Sequence, residues 1–267
     1  MASGTATIRQ DDDMTMPNTL RVLIPLDSHE HETFQTALAY ASAICERAGS
    51  EIRDVVLLVH TKGQLDSTSL GGFLGKANLR ALNAGAVPLP GDLRLTLETA
   101  KARLMLARRS VIIAYYADSK LLDVADGVRN AAGVVAVPWV PGEADDWAAR
   151  WGARVHGEEP RAQAALIEDP VVVRALEALT NVINLSTGLI HPSDKSRADE
   201  TLRILRAKGH PDPTPGIKSW AIRQGWKPDH AGALETLSHR IWGLKGKPSL
   251  AAIPRASERY ARWADGA

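Results

Sequence analysis

Three short runs of uninterrupted apolar residues constrain this chain more than any other feature. They are Val55-Val56-Leu57-Leu58-Val59, Val111-Ile112-Ile113-Ala114-Tyr115-Tyr116 (with Ser110 before it), and Val134-Val135-Ala136-Val137-Pro138 after Gly133. A strand with one wet face alternates apolar and polar residues. A strand without that alternation is covered on both faces, as in a parallel sheet. A fourth run, Leu20-Arg21-Val22-Leu23-Ile24-Pro25-Leu26, opens the series. Between the first two runs in chain order, Phe34, Ala37, Leu38, Ala41, Ile44, Cys45 and Ala48 recur at helical spacing, and Gly49 stops the pattern. Further helices are expected over Leu70 to Ala84, within Leu93 to Arg109 (Leu97, Leu104 and Met105 inward), over Lys120 to Asn130, and from Glu143 to Trp151. Alternating strands and helices with connections of this length predict an α/β fold. The expected form is a Rossmann-like or flavodoxin-like parallel sheet of about five strands, with helices on both faces.

The second half has a different character. Gly157-Glu158-Glu159-Pro160-Arg161 is polar and aperiodic, as a linker is. Asp169-Pro170, Ser193 and Thr214-Pro215 each start a helical pattern, and Gly209 and Gly225 interrupt. The expected organisation is a disordered tail at 1–18, an α/β domain at 19–156, a linker at 157–165 and a small all-helical domain at 166–267. Charge follows the same division. The chain of 267 residues carries 32 Lys and Arg against 31 Asp and Glu, a net charge of +1. Residues 1–157 hold 16 basic and 18 acidic side chains, whereas 203–262 hold 12 basic and 4 acidic. The neutral total therefore averages unlike parts, and only the helical domain has the surplus that an anionic partner needs.

Composition excludes several classes. One cysteine, Cys45, rules out an intrachain disulfide and cysteine-rich zinc modules, and its place on an apolar helix face reads as a packed thiol. No run of 18 apolar residues exists, so no membrane span is expected. Met1 to Asn18 contain Asp11-Asp12-Asp13 and no apolar stretch, so no secretory signal is expected and the compartment reads as cytoplasmic.

Ligands of such sheets sit beyond the carboxyl ends of the strands. Here those ends are Asp27-Ser28-His29, His60-Thr61-Lys62-Gly63, Asp118-Ser119-Lys120 and Trp139. Asp27, Ser28, His60, Lys62, Asp118 and Lys120 are therefore the candidate ligand-binding residues, and the matching ligand is a small anion. The structural alternative is that Asp27 or Ser28 simply caps the next helix. His29 and His31 alternate with Glu30 and Glu32, but no third donor is in view, so no metal site is assigned. Lys62 lacks a P-loop before it, and Leu70-Gly71-Gly72-Phe73-Leu74-Gly75-Lys76 reads as a mobile connection over the sheet edge. No G-x-S-x-G elbow occurs, so no catalytic residue and no cofactor is assigned.

Arg21-Val22-Leu23-Ile24-Pro25-Leu26-Asp27-Ser28, Ala37-Leu38-Ala39-Tyr40-Ala41, the strand ending at His60, and Val134-Val135-Ala136-Val137-Pro138 together resemble universal stress proteins. The resemblance spans residues 20–60 and 110–138 and implies a Rossmann-like nucleotide-type fold. The ATP-binding members of that family carry a glycine-rich phosphate loop after their fourth strand. This chain has Tyr116-Ala117-Asp118-Ser119-Lys120-Leu121-Leu122-Asp123 there, without glycine, and only Asp27 carries over.

In the helical half, two short helices joined by Gly225-Trp226-Lys227 resemble a helix-turn-helix. Ile217 to Gly225 is similar to the start of Lsr2-type DNA-binding domains, although Lys227-Pro228-Asp229-His230 replaces their Arg-Gly-Arg hook. The residues that would meet phosphates are Arg203, Arg206, Lys208, Lys218, Arg223, Lys245 and Lys247. Further basic residues, Arg255, Arg259 and Arg262, lie in the tail. Trp220, Trp226 and Trp242 are expected in the core. The sequence thus points to a non-enzymatic, cytoplasmic binding or regulatory protein. Its α/β domain would sense a ligand or serve as a scaffold, and residues 203–262 would engage DNA or a protein. The alternative is an enzyme acting on a nucleotide or phosphorylated metabolite, with Asp27, Lys62 and Asp118 around the strand ends. A second copy would pack on the sheet edge or on the Trp139–Trp151 region.

Overall fold

The computed structural model describes residues 19–49, 51–101, 106, 108–128, 130–160 and 163–266. The expected tail, and the expected inward positions of Leu104 and Met105, lie outside the described residues. The chain divides into two compact units between Gln163 and Ala164, inside the stretch that composition marks as a linker.

The first unit is an α/β domain built on seven strands. They are β1 (Leu20–Leu23), β2 (Asp54–Val59), β3 (Ala86–Leu89), β4 (Leu93–Thr99), β5 (Ser110–Ala117), β6 (Ala131–Pro138) and β7 (Arg154–Val155), in the order β3-β4-β2-β5-β6-β1-β7. All neighbours are parallel except the hairpin of β3 and β4. The helices are α1 (His31–Ala48), α2 (Gln64–Ser67), α3 (Ser69–Ala84), α4 (Ser119–Asp126) and α5 (Asp145–Trp151). The first strand does not lie beside the second, because β5 and β6 stand between them.

The unbroken apolar strands are explained by two cores. On one face, Val55, Leu57, Val111, Ile113 and Val135 pack with Phe34, Ala37, Ala41 and Ile44 of α1 and Leu70 of α3. On the other, Val56, Leu58, Ile112 and Val134 pack with Leu121, Leu122 and Ala125 of α4 and Trp147 of α5. Each Val, Leu, Ile or Phe among them contributes about 1.5–3 kcal/mol on burial. Helix α1 lies so close to β6 that a Cβ on Gly133 would fall 2.8 Å from Ile44 Cγ2.

A buried ionic cluster locks α4 and α5 to β1. The Asp126 side chain has no exposed surface and faces the Arg21 guanidinium at 3.5 Å and that of Arg150 at 3.1 Å. The indole N–H of Trp147 donates to Asp126 Oδ1 and that of Trp151 to Oδ2. The Arg21 guanidinium lies 3.4 Å from the centre of the Trp151 ring. Burial pushes the Asp126 carboxyl up from its ordinary range, against the pull of these donors.

Three expectations are corrected. Leu93 to Arg109 begins as strand β4, not as a helix, because Leu93, Leu95 and Leu97 alternate with polar residues, a two-residue period. The helix expected over Leu70 to Ala84 is present as α3, and Leu70 to Lys76 is part of it, kinked at Gly75, rather than a mobile connection. Gly71 allows α3 to abut α2, since a Cβ there would sit 1.7 Å from the Leu65 carbonyl oxygen. Neither Asp27 nor Ser28 caps α1, whose N-cap residue is Glu30 with no side-chain cap bond.

The second unit is helical. It comprises α6 (Pro170–Thr180), a single 3-10 turn (Gly188–Ile190), α7 (Pro192–Lys208), α8 (Thr214–Arg223), α9 (Pro228–Trp242) and α10 (Ala256–Asp265). Asp169 caps α6 by accepting from the backbone N–H of Val171 and Val172. Trp220 and Trp226 are buried, and the Trp226 indole donates to Thr180 Oγ1 at 3.0 Å. Trp242 is half-buried. Among the described residues, no helix is long and apolar enough to cross a membrane.

Candidate functional site at the carboxyl edge of the sheet

The site begins with a break in strand alternation. Consecutive residues of a strand face opposite sides. Tyr115 and Tyr116 nevertheless both join the core beneath α1. They do so because the pairing of β5 with β6 is irregular between Tyr115 and Ala117, and Tyr116 takes a left-handed backbone with φ 57°. A non-glycine residue there costs about 1–3 kcal/mol, and such strain gathers at functional sites.

The irregularity sets two phenols under the strand ends. Tyr115 donates through its hydroxyl to the Ser28 carbonyl at 2.9 Å, and burial pushes its phenol well above the usual range. The Tyr116 hydroxyl meets Ser69 Oγ at 3.1 Å, and Ser69 Oγ meets His29 Nδ1 at 3.2 Å. The Tyr116 ring centre is 4.5 Å from that of Trp139, and His29 stands edge-on to Trp139 at 5.8 Å. His29, Ser69, Tyr116 and Trp139 thus form one polar-aromatic group drawn from four segments. Trp139 is 41% exposed and Val140 50%, after β6, and Leu26 is 39% exposed after the neighbouring β1.

The six expected ligand residues divide. His60 Nε2 and Asp118 Oδ1 are brought together at 3.2 Å. Asp118 also caps α4 by accepting from Leu121 N at 2.8 Å. Asp27 is exposed and closes a local turn by accepting from His29 N at 2.8 Å. Ser28 is fully buried, with its hydroxyl toward the Trp139 carbonyl, and so supports the loop from beneath. Lys62 and Lys120 are exposed. Sequence reasoning missed Ser69 and Tyr116. The only signal was a Tyr-Tyr pair at the end of a strand, just before Asp118. Among the described residues, no group of three or more His, Cys, Asp or Glu is placed to hold a metal ion.

In the helical unit, several expected phosphate-contacting residues serve the fold. Arg203 pairs with Asp199, which also receives Arg240 at 2.7 Å. Arg206 donates to the carbonyls of Ile241 and Leu244, closing the end of α9. Arg223 donates to the Ala164 carbonyl, and Lys208 Nζ lies 4.9 Å from the centre of the Tyr260 ring. Lys218 is half-buried, and Lys245 and Lys247 are exposed. His210 bridges Asp169 Oδ2 at 2.8 Å and the Tyr260 hydroxyl at 3.2 Å.

The two units define an α/β domain with an aromatic, polar carboxyl edge, followed by a helical domain. Residues 168–264, within the helical unit, match the model of a family described as a domain of unknown function (DUF1889). No curated protein and no solved structure matches the chain.

Proposed function

We propose that the protein is a non-enzymatic, cytoplasmic binding protein. Its α/β unit holds a small anionic ligand with a planar part at the carboxyl edge of the sheet, and its helical unit docks on a protein partner. The observation that carries this reading is the convergence of His29, Ser69, Tyr116 and Trp139 at the strand ends, on the sheet edge where the exposed Lys62 and Lys120 follow β2 and β5. The half-exposed indole offers a stacking face, and hydroxyl and imidazole groups offer donors to a charged head. The likeness of residues 20–60 and 110–138 to universal stress proteins agrees with ligand holding. Asp118 is engaged by both His60 and the start of α4, an arrangement that favours a supporting role over proton transfer. Arg203, Arg206 and Arg223 are engaged inside the helical unit, which favours a protein partner over DNA.

The test is a thermal-shift panel of nucleotides and phosphorylated metabolites on the full chain. A ligand that binds the folded state raises the midpoint, and Trp139→Ala should abolish that shift. A panel without any shift would sink the reading. Turnover of a panel compound that disappears in His60→Ala would replace it with an enzyme. Retention of duplex DNA in a low-salt gel would replace the protein partner with nucleic acid.

A further inference from the structure

We propose that the helical unit carries a second site, an arginine-lined cleft that binds a small organic polyanion bearing phosphate or carboxylate groups. It lies wholly within the helical unit and is independent of the sheet-edge site.

The cleft lies among α6, α7 and α10 and has a volume of about 870 Å³, within the range of small-molecule sites. Arg174 enters it from α6, Arg197 from α7, and Arg255, Arg259 and Arg262 from the start and body of α10. The last three are spaced four and three residues apart, which sets them on one helix face. Only two acids, Glu177 and Glu200, join the lining. Glu200 is taken by Arg259 at 2.7 Å. Among the described residues, no carboxylate pairs with Arg174, Arg197, Arg255 or Arg262.

A guanidinium offers five N–H donors. Arg174 commits donors to the carbonyls of Trp263 and Ala264, and Arg197 to that of Val182. These bonds to the backbone hold the two side chains in place while most of their donors stay open. Arg259 is fixed between Glu200 and Thr201 Oγ1, with its guanidinium 5.6 Å from the centre of the Trp263 ring. Pre-positioned guanidinium groups that face one cavity suit bidentate bonds to phosphate or carboxylate.

Arg255 adds an independent sign. It starts α10 with a left-handed backbone, φ 50° and ψ 36°. A non-glycine residue held there stores about 1–3 kcal/mol of strain. Asn181 and Thr201 add polar groups to the lining, and Ala178, Leu179, Pro254 and the 53% exposed Val182 form an apolar wall. That wall selects an organic anion over a bare inorganic one. The concave shape suits a small molecule better than a duplex backbone.

The experiment is calorimetric titration of the full chain with inorganic pyrophosphate and with ADP. The expected result is binding at this cleft that persists in Trp139→Ala and is weakened by salt, with ADP binding there more tightly than pyrophosphate. Arg262→Ala and Arg197→Ala are exposed changes that should keep the thermal midpoint and weaken binding about tenfold each, the scale of a lost charge-assisted pair. Arg262→Lys should recover part of the loss. Lys245→Ala with Lys247→Ala, and separately Trp139→Ala, should leave this binding unchanged, which separates it from the sheet-edge reading. The proposal is overturned if neither probe binds, if the arginine variants bind as the parent does, or if the lysine variant loses as much. Binding of an acidic peptide without binding of either probe would likewise overturn it and assign the cleft to a protein segment.

Discussion

His210 Nδ1 lies 2.8 Å from Asp169 Oδ2, and this contact joins the turn beyond α7 to the start of α6. The Asp169 carboxylate is therefore shared between a helix cap and an imidazole. Burial alone would raise its pKa, but the hydrogen bonds of His210, Val172 and Val171 outweigh that and hold it below the ordinary value. A carboxyl lowered on folding contributes stability above its unfolded value, near pH ~4, and loses it as pH falls through the folded value. Asp169→Ala should cost about 0.5–2 kcal/mol at pH 7, the range for a lost N-cap. Urea denaturation at pH 7 and pH 3 checks this. The gap between variant and parent should shrink at the lower pH, and an equal gap at both would count against the assignment.

The buried cluster predicts a larger loss. Asp126→Ala strands the Arg21 guanidinium and two indole donors behind α4 and α5, and takes from Arg150 the closer of its two carboxylates, leaving Asp123 at 3.5 Å. Breaking a buried ion pair from one side costs about 3–5 kcal/mol. Denaturant midpoints of variant and parent measure this, and a loss below about 1 kcal/mol would mean that water reaches the cluster.

Neighbouring glycines of α3 should respond oppositely. Gly71→Ala drives a Cβ into the Leu65 carbonyl and forces α2 and α3 apart, whereas a Cβ on Gly72 meets nothing within 4 Å. Overpacking at the first should cost about 1–3 kcal/mol, and helix propensity at the second should add up to about 1 kcal/mol of stability. Thermal midpoints of the two variants decide, and equal shifts would contradict the close approach of the two helices.

Cys45 lies on the buried face of α1, and burial, with Asp54 and Glu46 adding, pushes its thiol up to about 11. The folded protein should therefore resist an aromatic disulfide reagent at pH 8 and react at once in denaturant. Rapid modification of the native protein would show that α1 opens readily.

Much of this fold was legible from local pattern. The central strands show themselves because β2, β5 and β6 are covered on both sides, and Trp220 and Trp226 read correctly as core, whereas Trp242 is half-buried. The β3–β4 hairpin was hidden because Leu93 and Leu97 also fit a helical spacing; only Leu95 between them reveals the two-residue period. At the site, His60 and Asp118 followed from strand ends. Tyr116 did not, because its direction depends on an irregular pairing with β6, a contact no local pattern encodes. The arginine cleft was hidden for the same reason. Arg255, Arg259 and Arg262 show helical spacing, but Arg174 and Arg197 arrive from other helices.

The placement of β1 has a consequence for how the chain is made. Its bonding neighbours are β6 and β7, and the Thr19 hydroxyl donates to the Ala131 carbonyl, 112 residues further on. The first strand leaves the ribosome without a template to pair with. At ~5–20 residues per second its neighbour emerges ~6–22 s later. Until then β2, β4 and β5 can assemble, while the edge of β5 that β6 will occupy stays open. Closure of the sheet is therefore a late event, and the nascent chain is most vulnerable to trapping by foreign strands in that interval.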